Sequence, residues 1–554
     1  MGYLSKVPAT AVQTALHVIA IAAFVTLALT PHRTAGYLLA LAGLLVVAGR
    51  GSETGLLNAI PAVTLLAAAV LVPLPHTATT AFIALALVYL IVSQSALLAL
   101  GRKARTQALN LPGYAEPRRL AIPADAMAAA NVIMVAAIGA IGYAKWPVWP
   151  VAAAVAAECA AVAIVTADVM YRRFKGASDV SHFRAALEKH APSFIVYFSD
   201  TSGQEFQLLS WLPQLDSIGE PYLIVVREAA TMRKLRPHVT APLFYCPTVP
   251  TVDSTIIDSV RAVIYVNNAN LNSHIARFSK LTHIQLLHGD SDKPASFNPV
   301  SAMFDRLFVA GPAGVQRYAD HGVVIAEEKF DIVGRPQAAA VTDARTESGT
   351  TVLYALTTPG HYADENHCSL PAAEAIVRGL IDADATVILR PHPGINRRTP
   401  GFAQLARAAK LLADDQARSG RPHLFGAAAD AMSAVEAMNA SDAMVSDVSA
   451  MAVDYLASGK PLALTDVRSA GPDFARHSPI TRAAYVISAD GANTADIAAD
   501  MLGDDPNAGH RAAVRDYYLA ADTFAETTRR YLRGEKMTRT STPVHPRESA
   551  EVAV

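Results

Sequence analysis

The sequence predicts an α-helical transmembrane region followed by an α/β region made of two Rossmann-like domains. The 554 residues are 52% hydrophobic, with a mean hydropathy of +0.26, which is high for a purely soluble protein. Residues 1 to about 175 are nearly continuous apolar sequence with few charges. From about residue 181 onwards, short apolar strands alternate with amphipathic helices, a pattern typical of parallel sheets.

The apolar region is long enough for about six membrane spans. The second of the expected spans is short for a bilayer core of ~30 Å and could be tilted or re-entrant. A buried bundle of soluble helices is the alternative, and it is disfavoured because apolar runs this long with so few charges are rare in soluble folds. We expect the spans at 9–30, 36–49, 57–74, 80–100, 125–145 and 148–170.

Basic residues indicate the orientation of these spans. With the N-terminus inside, ten Lys and Arg residues fall in inside segments, and Arg33 and Lys145 fall in outside segments. This bias follows the positive-inside rule and predicts a plasma-membrane protein whose residues after 175 are cytoplasmic. An odd number of spans would break this assignment. The ten inside residues are Lys6, Arg50, Arg102, Lys103, Arg105, Arg118, Arg119, Arg172, Arg173 and Lys175.

Two connecting segments and the cysteines add detail. The basic loop 101–124 could contact anionic lipid headgroups or a phosphate-bearing lipid, although enforcing the topology is the simpler interpretation. Gly176 to Ser178 are expected to form a short hinge. The three cysteines are too far apart for a local zinc site, and their odd number argues against a disulfide framework, which fits a reducing compartment.

We expect two α/β domains after the hinge, at 181–337 and 349–535, joined by a linker at 338–350 and followed by a disordered polar tail at 536–554. A long final helix, 508–533, is placed in the second domain. The strands expected in the first domain are 193–199, 221–226, 262–266, 283–287 and 306–310. Those expected in the second are 351–356, 385–389, 442–446, 461–465 and 484–487.

Three polar segments directly follow predicted strands, where open α/β sheets bind their ligands. They are His288-Gly289-Asp290, Arg390-Pro391-His392-Pro393 and Ser446-Asp447-Val448-Ser449-Ala450. In the last segment, Asp447 or Ser449 can cap the helix that follows, and the free N–H groups of a helix start favour phosphate. An ordinary capped helix is the alternative interpretation of that segment.

These segments resemble the CDP-glycerol glycerophosphotransferase family of teichoic acid polymerases and primases. That family has HGT-P-x-K, G-x-P-R, Y-A-P-T, R-P-H-P and T-D-Y-S-S in this order. Here the order is HGDSDK, VGRPQ, YALT, RPHP and SDVSA, within roughly residues 190 to 530. The resemblance implies a GT-B architecture, with the acceptor on the first domain and the nucleotide donor on the second. It also implies transfer of glycerol phosphate from CDP-glycerol, with release of CMP, to a lipid-linked or polymer hydroxyl.

The resemblance assigns roles to individual residues. His288 matches the histidine of HGT and is expected as the general base, since imidazole titrates near neutrality. His392 matches the histidine of RPHP and is expected at the pyrophosphate as a charged donor or general acid. Phosphate or donor contacts are expected from Asp447, Ser449, Ser446, Lys293 and Arg335. Arg390 is also expected to contact phosphate, although it could instead order its loop. Asp454 matches a later aspartate of the family and is expected to be structural.

Several departures from the family pattern leave alternatives open. Asp290 replaces the threonine after His-Gly, and it could orient His288 or repel an anionic substrate. Ala450 replaces the second serine, and Thr358 to His361 replace an aromatic segment. CDP-ribitol or another CDP-polyol is therefore a possible donor. A glycosyltransferase using a nucleotide sugar and a non-catalytic membrane scaffold are the other functions considered. No metal motif or cofactor is expected, and the net charge of -1 gives no reason to expect a nucleic-acid partner.

Overall fold

The computed structural model describes residues 9–48, 63–75, 77–102, 107–115, 124–360 and 366–535. The chain divides into two compact units. The first comprises Met1–Arg105 and Ala115–Ala185, and the second comprises Thr106–Tyr114 and Ala186–Val554. The second unit therefore takes one short segment from inside the predicted membrane region.

The described part of the first unit is helical. Its helices bury small and branched apolar side chains against one another, such as Leu16, Leu66, Leu90 and Val155. Apolar residues such as Leu29 and Leu85 are exposed on its outside. The helices are α1 (Ala9–Leu29), α2 (Arg33–Ala48), α3 (63–71), α4 (Ala78–Arg102), α5 (Ala124–Ala144) and α6 (Trp149–His190).

Each predicted span contains a helix, but length and composition support a crossing for one of them. Within the described ranges, Trp149–Asp168 is the helix segment long and apolar enough to cross a membrane. Shorter apolar helices are Ala15–Leu29, Arg33–Val46, Ala78–Leu90 and Ile133–Ala144. The six-span membrane region and the orientation derived from it therefore stay predictions. Of the basic residues used for that orientation, Lys6, Arg50, Lys103, Arg105, Arg118 and Arg119 lie outside the described residues.

The hinge expected at Gly176 to Ser178 is wrong, because α6 continues through it to His190. A glycine inside a helix costs only about 1 kcal/mol relative to alanine. Lys175 and Ala177, both good helix formers, flank Gly176 directly, and the helix continues through this position.

The first sheet of the second unit has eight strands in the order β1-β4-β3-β2-β5-β6-β7-β8. Neighbouring strands from β4 to β8 are parallel. The segments FIVYF and YLIVV of β2 and β3 are wholly buried, as expected for a parallel sheet covered on both faces. The strands are β1 (Gln107–Leu109), β2 (Phe194–Phe198), β3 (Tyr222–Val226), β4 (Leu243–Tyr245), β5 (Ala262–Tyr265), β6 (Thr282–Gln285), β7 (Arg306–Val309) and β8 (Phe330–Ile332).

Strand β1 comes from the loop 101–124, which was predicted to have no strand. It pairs antiparallel with β4, with Gln107 opposite Tyr245. Asn110 fixes the end of the strand by donating from its side-chain amide to the carbonyl of Val239 at 2.8 Å. Ala108 and Leu111 are buried. Part of the basic loop is thus an edge strand of this sheet, whereas residues 103–106 and 116–123 lie outside the described residues.

Short helices connect these strands. Several are a single turn, and the 3-10 segments between them are Asn270–Asn272, Pro294–Phe297, Pro299–Met303, Glu327–Lys329 and Pro336–Ala338. The α-helices of this part are α7 (Phe206–Leu209), α8 (Leu212–Ser217), α9 (Ala229–Leu235), α10 (Val249–Asp253), α11 (Ser273–Ala276) and α12 (Pro312–Asp320).

The second sheet has five parallel strands in the order β10-β9-β11-β12-β13. The strands are β9 (Thr351–Leu356), β10 (Thr386–Pro391), β11 (Ala443–Ser446), β12 (Leu462–Thr465) and β13 (Tyr485–Ile487). The helices are α13 (Ala373–Asp382), α14 (Phe402–Ser419), α15 (Ala427–Asp430), α16 (Ala434–Asn439), α17 (Ala450–Tyr455), α18 (Phe474–His477), α19 (Thr494–Leu502), α20 (Ala508–Tyr518) and α21 (Phe524–Leu532).

Each sheet has a topological switch point, where the chain stops adding strands on one side of the first parallel strand and adds the next strand on its other side. In the first sheet this point lies between β2 and β5, and in the second it lies between β9 and β11. Crevices at such points, at the carboxyl ends of the strands, are the usual ligand sites of open α/β sheets. The loops after β2, β9 and β11 are therefore the first places to look for a site.

The end of the chain returns from the second sheet to the first. The single helix expected at 508–533 is two helices, α20 and α21, and α21 buries Phe524 and Tyr531 in the apolar core of the first sheet. Glycines allow this passage, since a Cβ added at Gly311 would lie 2.5 Å from the carbonyl of Tyr518. The tail predicted to be disordered, 536–554, lies outside the described residues.

Candidate functional site

His288 is presented by a constrained turn that follows β6. Leu287 has φ 56°, a left-handed conformation that non-glycine residues rarely adopt. Two side chains hold this backbone: Nε1 of Trp211 donates to the Leu287 carbonyl at 2.7 Å, and the Leu287 amide donates to Oε1 of Gln285 at 3.0 Å. Backbone strain of this kind costs about 1–3 kcal/mol and is often found at functional sites.

Gly289 in this turn lies next to the start of α17, the helix that follows β11 of the second sheet. A Cβ added at Gly289 would lie 2.5 Å from the Cβ of Ala450, the first residue of α17. The glycine therefore allows the His288 turn and the start of α17 to approach closely. Ala450, which replaces a serine of the family motif, packs directly against this turn.

Asp447 lies between the loops after β9 and β11, at the switch point of the second sheet. Its carboxylate is fully buried and accepts hydrogen bonds from the backbone amides of Thr357 at 2.7 Å and Ser369 at 3.1 Å. Burial raises the pKa of Asp447 to about 6, and the hydrogen bonds from Ser369 and Thr357 and the charge of Lys293 oppose the rise. Direct donor binding by Asp447 is therefore corrected to a positioning role, because its oxygens are buried and hold two loops.

Ser449, not Asp447, is the N-cap of α17. Its Oγ accepts from the amide of Ala452 at 3.2 Å. Ser446 is fully buried and donates from Oγ to the carbonyl of Ala355 at 2.7 Å. The phosphate role expected for Ser446 is corrected to a structural one, because this hydroxyl is inaccessible and ties β11 to β9. Ser449 is partly exposed and stays a candidate contact.

Lys293 reaches from the segment after the His288 turn to the loop after β9. Its Nζ donates to Oγ1 of Thr357 at 2.6 Å. Burial lowers the pKa of Lys293, and the nearby charge of Asp447 acts in the opposite direction. Within the described residues, no carboxylate lies within ion-pair distance of this ammonium group. Lys293 is therefore a partly buried cation that still has N–H groups to offer an anion.

The structure brings His288 and His392 to the same place, beside the ring of Phe206. The ring centroid of Phe206 lies 6.2 Å from that of His288 and 5.2 Å from that of His392. Burial lowers the pKa of each histidine to about 4, and the charge of Lys293 contributes to both shifts. Arg335 and His392 also lower the pKa of His288. Both shifts favour the neutral imidazole at pH 7 in the free protein, so the charged donor or general acid expected at His392 stays a prediction for the substrate-bound state.

Hydrogen bonds indicate which nitrogens carry the protons. Nδ1 of His392 accepts from the amide of Gly394 at 3.0 Å, so the neutral ring carries its proton on Nε2. The ring of His288 bonds to the backbone of Val266, while its Nδ1 is buried and has no hydrogen-bond partner among the residues described. The pair thus has a donor N–H at His392 and, at His288, a buried acceptor without a hydrogen-bond partner among the described residues.

His367 belongs to the same cluster, and the sequence analysis missed it. It is buried, and burial lowers its pKa to about 4, with further contributions from the charges of Lys293 and Arg468. The available signal was its place in the irregular segment after β9, at the switch point of the second sheet. No motif marks it, and residues 361–365 just before it lie outside the described residues.

Asp290 does not orient His288, contrary to the expected catalytic role. Its carboxylate forms an ion pair with Arg317 of α12. Arg317 also donates from Nε to Asp292 at 3.1 Å, and Asp292 accepts from the hydroxyl of Tyr518 at 2.6 Å. We call these four residues the Arg317 cluster. Asp290 is drawn into this buried cluster because a carboxylate that leaves water needs a cationic partner.

The guanidinium groups of Arg335 and Arg390 both form hydrogen bonds within the protein. Nε of Arg335 donates to Asp454 of α17 at 2.8 Å, and its guanidinium also reaches the carbonyl of His288 at 3.4 Å. Arg390 donates to the carbonyls of Ala429 and Met432 at 2.8 and 2.6 Å. The phosphate contacts expected from both are therefore corrected: Arg335 ties the His288 turn to α17, and Arg390 holds α15 and the residues directly after it. Asp454 is structural, as expected.

The remaining group is compact and chemically coherent, and we call it the histidine–lysine cluster. It contains one cation, three neutral imidazoles and the hydroxyl of Thr357, at the carboxyl ends of β6, β9 and β10. Such a group can bind an anion, donate a hydrogen bond to it and accept a proton from a hydroxyl group nearby. The members are His288, Lys293, Thr357, His367 and His392.

Comparisons with known proteins find structural neighbours. No protein-family model matches the chain, and no curated protein matches its sequence. The solved structures that are similar include the wall teichoic acid polymerase TagF, at 12% identity and TM-score 0.40, covering 66% of this chain and 95% of TagF. A glycosyltransferase from Rickettsia africae ESF-5 has 12% identity and TM-score 0.40, covering 62% of this chain and 97% of its own.

A putative UDP-N-acetylglucosamine 2-epimerase from Listeria monocytogenes has 12% identity and TM-score 0.42, covering 62% of this chain and 97% of its own. At these values the likeness assigns no substrate and no reaction to this chain, which therefore depend on the residues of the site. The structural neighbours of this α/β chain thus include the wall teichoic acid polymerase TagF.

Proposed function

We propose that this chain is a membrane-integral transferase that moves glycerol phosphate, or a related polyol phosphate, from a CDP-activated donor to a hydroxyl acceptor. The acceptor is lipid-linked or polymeric, and the product is a teichoic-acid-like polymer of the cell envelope. The observation that carries the proposal is the placement of Lys293, which forms no ion pair with the described residues, beside the neutral His288 and His392. An anion site next to a proton acceptor is what phosphoryl transfer to a hydroxyl requires.

The reaction can be written on these residues. The acceptor oxygen attacks the phosphorus that carries the glycerol, and a new O–P bond forms. The bond from this phosphorus to the bridging oxygen breaks, and CMP leaves with that oxygen. The acceptor's proton passes to His288, while Lys293 and the Nε2–H of His392 stabilise the negative charge on the phosphate oxygens.

The lowered histidine pKa values suit this sequence of events. In the free protein His288 is neutral, so it can accept a proton without first losing one. An anionic donor beside Lys293 offsets the positive charge that lowers the pKa of His288. The pKa then rises towards neutrality, which strengthens His288 as a base when substrate is present.

The membrane part of the proposal comes from the first unit. Its helix segment Trp149–Asp168 is long and apolar enough to cross a bilayer. Holding the second unit on the same chain as a membrane span raises its effective concentration relative to a lipid-linked acceptor. The cytoplasmic placement of the second unit belongs to the proposal and follows from the positive-inside bias.

The test uses the full chain, purified and reconstituted in lipid vesicles. CMP release from CDP-glycerol is measured with and without a lipid-linked acceptor, for the wild type, His288→Ala and the exposed-histidine control His238→Ala. The proposal predicts acceptor-dependent release that the control retains and His288→Ala loses. Turnover with CDP-ribitol or a nucleotide sugar, but not with CDP-glycerol, would reject CDP-glycerol as the donor in favour of the compound that is turned over. The absence of both turnover and nucleotide binding would favour a scaffold.

A further inference from the structure

Phe206 occupies an unusual position for an apolar residue. It lies after β2, at the switch point of the first sheet, where the surrounding residues are polar. Its ring is partly exposed and does not belong to the buried apolar core of that sheet. Burial in the core therefore does not account for a phenylalanine at this position.

The two neighbours of Phe206 fix its backbone. Glu205 is buried, and its carboxylate accepts from the amide of Gly203 at 2.9 Å. Gln207 is also buried, and its Oε1 accepts from the side-chain amide of Asn267 at 2.8 Å. With both neighbours held, the Phe206 ring has a defined position between the two sheets.

The ring stands nearly perpendicular to both catalytic imidazoles. The interplanar angle is 84° with His288 and 89° with His392. Edge-to-face contacts of this kind are favourable by roughly 0.5–1.5 kcal/mol each. His288 follows β6 of the first sheet and His392 follows β10 of the second, so a single ring contacts the candidate catalytic histidine of each sheet.

We propose that Phe206 is a positioning residue, which holds the His288 and His392 rings in their orientation and keeps water from them. This inference rests on the proposed function for its catalytic meaning, but the positioning itself is independent of substrate. The charged and titratable groups that face the two imidazoles are Lys293 and Arg335, together with the imidazoles themselves. Among the described residues, Phe206 is the aromatic side chain whose ring contacts both imidazoles, and an apolar ring in that position can exclude water from them.

The test measures the protonation of each histidine without any substrate. Diethyl pyrocarbonate acylates the neutral imidazole, and mass spectrometry of peptides gives the labelling rate of His288 and of His392 as a function of pH. In the wild type, the half-maximal rate at both is expected well below pH 6.5. In Phe206→Leu, water enters and the half-maximal pH at both histidines rises by about one unit, with faster labelling. Phe206→Tyr keeps the ring and is expected to keep the wild-type profile.

Phe297→Leu is the matched control, since Phe297 stacks on His321 at 3.7 Å, outside the histidine–lysine cluster. It should alter labelling of His321 and leave His288 and His392 unchanged. Unchanged half-maximal pH values in a folded Phe206→Leu protein, as judged by circular dichroism, would overturn the inference. Altered labelling in that variant without any wild-type CMP release would instead retain the positioning role and reject the proposed function.

Discussion

Gly289 and Ala450 meet so closely that a methyl group on the glycine would lie 2.5 Å from the methyl group of the alanine. Gly289→Ala is therefore expected to push the His288 turn away from α17, at a cost of about 1–3 kcal/mol, and to lower CMP release. Removing the opposing methyl group in the double variant Gly289→Ala/Ala450→Gly should restore much of both. Thermal unfolding and CMP release of the two single variants and the double variant measure this coupling. Additive losses would show that the contact is not the cause.

The pH dependence of kcat/KM should show an acid limb well below the usual range of histidine. The proposed base His288 must be neutral to act, and its pKa is lowered to about 4, so we expect protonation to remove activity only as the pH falls through that value. We expect kcat/KM to be nearly constant from about pH 5.5 to 7.5, where a base with the ordinary pKa of about 6.5 would give a steep rise. Initial rates across this range, with the stability of the enzyme checked at each pH, decide between the two.

Replacing Lys293 should act on binding and on pH dependence together. Lys293→Met removes the cation that contributes to the low pKa of both His288 and His392, so the acid limb should move to higher pH. The same change removes charge stabilisation of the phosphate, and we expect kcat/KM to fall about 100-fold or more. Lys293→Arg keeps the charge and should keep the acid limb near its wild-type position. A Lys293→Met enzyme with an unshifted limb would contradict the electrostatic account.

The Arg317 cluster should control stability rather than chemistry. Arg317→Met leaves the carboxylates of Asp290 and Asp292 buried without their cation, which typically costs about 3–5 kcal/mol. Asp290→Asn should also lower the unfolding temperature, yet it should leave the acid limb of kcat/KM unchanged, because Asp290 does not contact His288. Differential scanning calorimetry and the pH profile of Asp290→Asn separate these effects. A shifted profile would return Asp290 to the catalytic group.

The strands that could be predicted from the sequence are those whose own residues are apolar enough to indicate burial. Strands β2 and β3 are runs of five apolar residues, which predict a buried parallel strand without knowledge of their neighbours. Strands β1, β4 and β8 have three residues each and were not predicted. For β1 the pairing partner lies more than a hundred residues further along the chain, as the Asn110–Val239 separation of 129 illustrates. Local periodicity carries no information about such a partner.

The same distinction applies to the site. His288, His392 and Lys293 could be predicted because each follows a strand end in a recognisable motif, and the structure brings the three together. The partners of Arg335 and Arg390 could not be predicted, since a carboxylate on α17 and two backbone carbonyls satisfy them. His367 and Phe206 were missed for a related reason. Neither belongs to a motif, and only the packing of the two sheets places them beside the histidines.

The edge strand β1 has consequences for folding during synthesis and for recombination of the gene. Gln107–Leu109 is synthesised long before its partner Leu243–Tyr245. During synthesis it therefore stays unpaired until the second unit begins to fold. No single cut in the chain separates the two units, and a fragment starting near residue 186 would expose the edge of β4 to strands of other molecules. The two units are therefore interleaved in the gene, and recombination at one breakpoint could not exchange either of them intact.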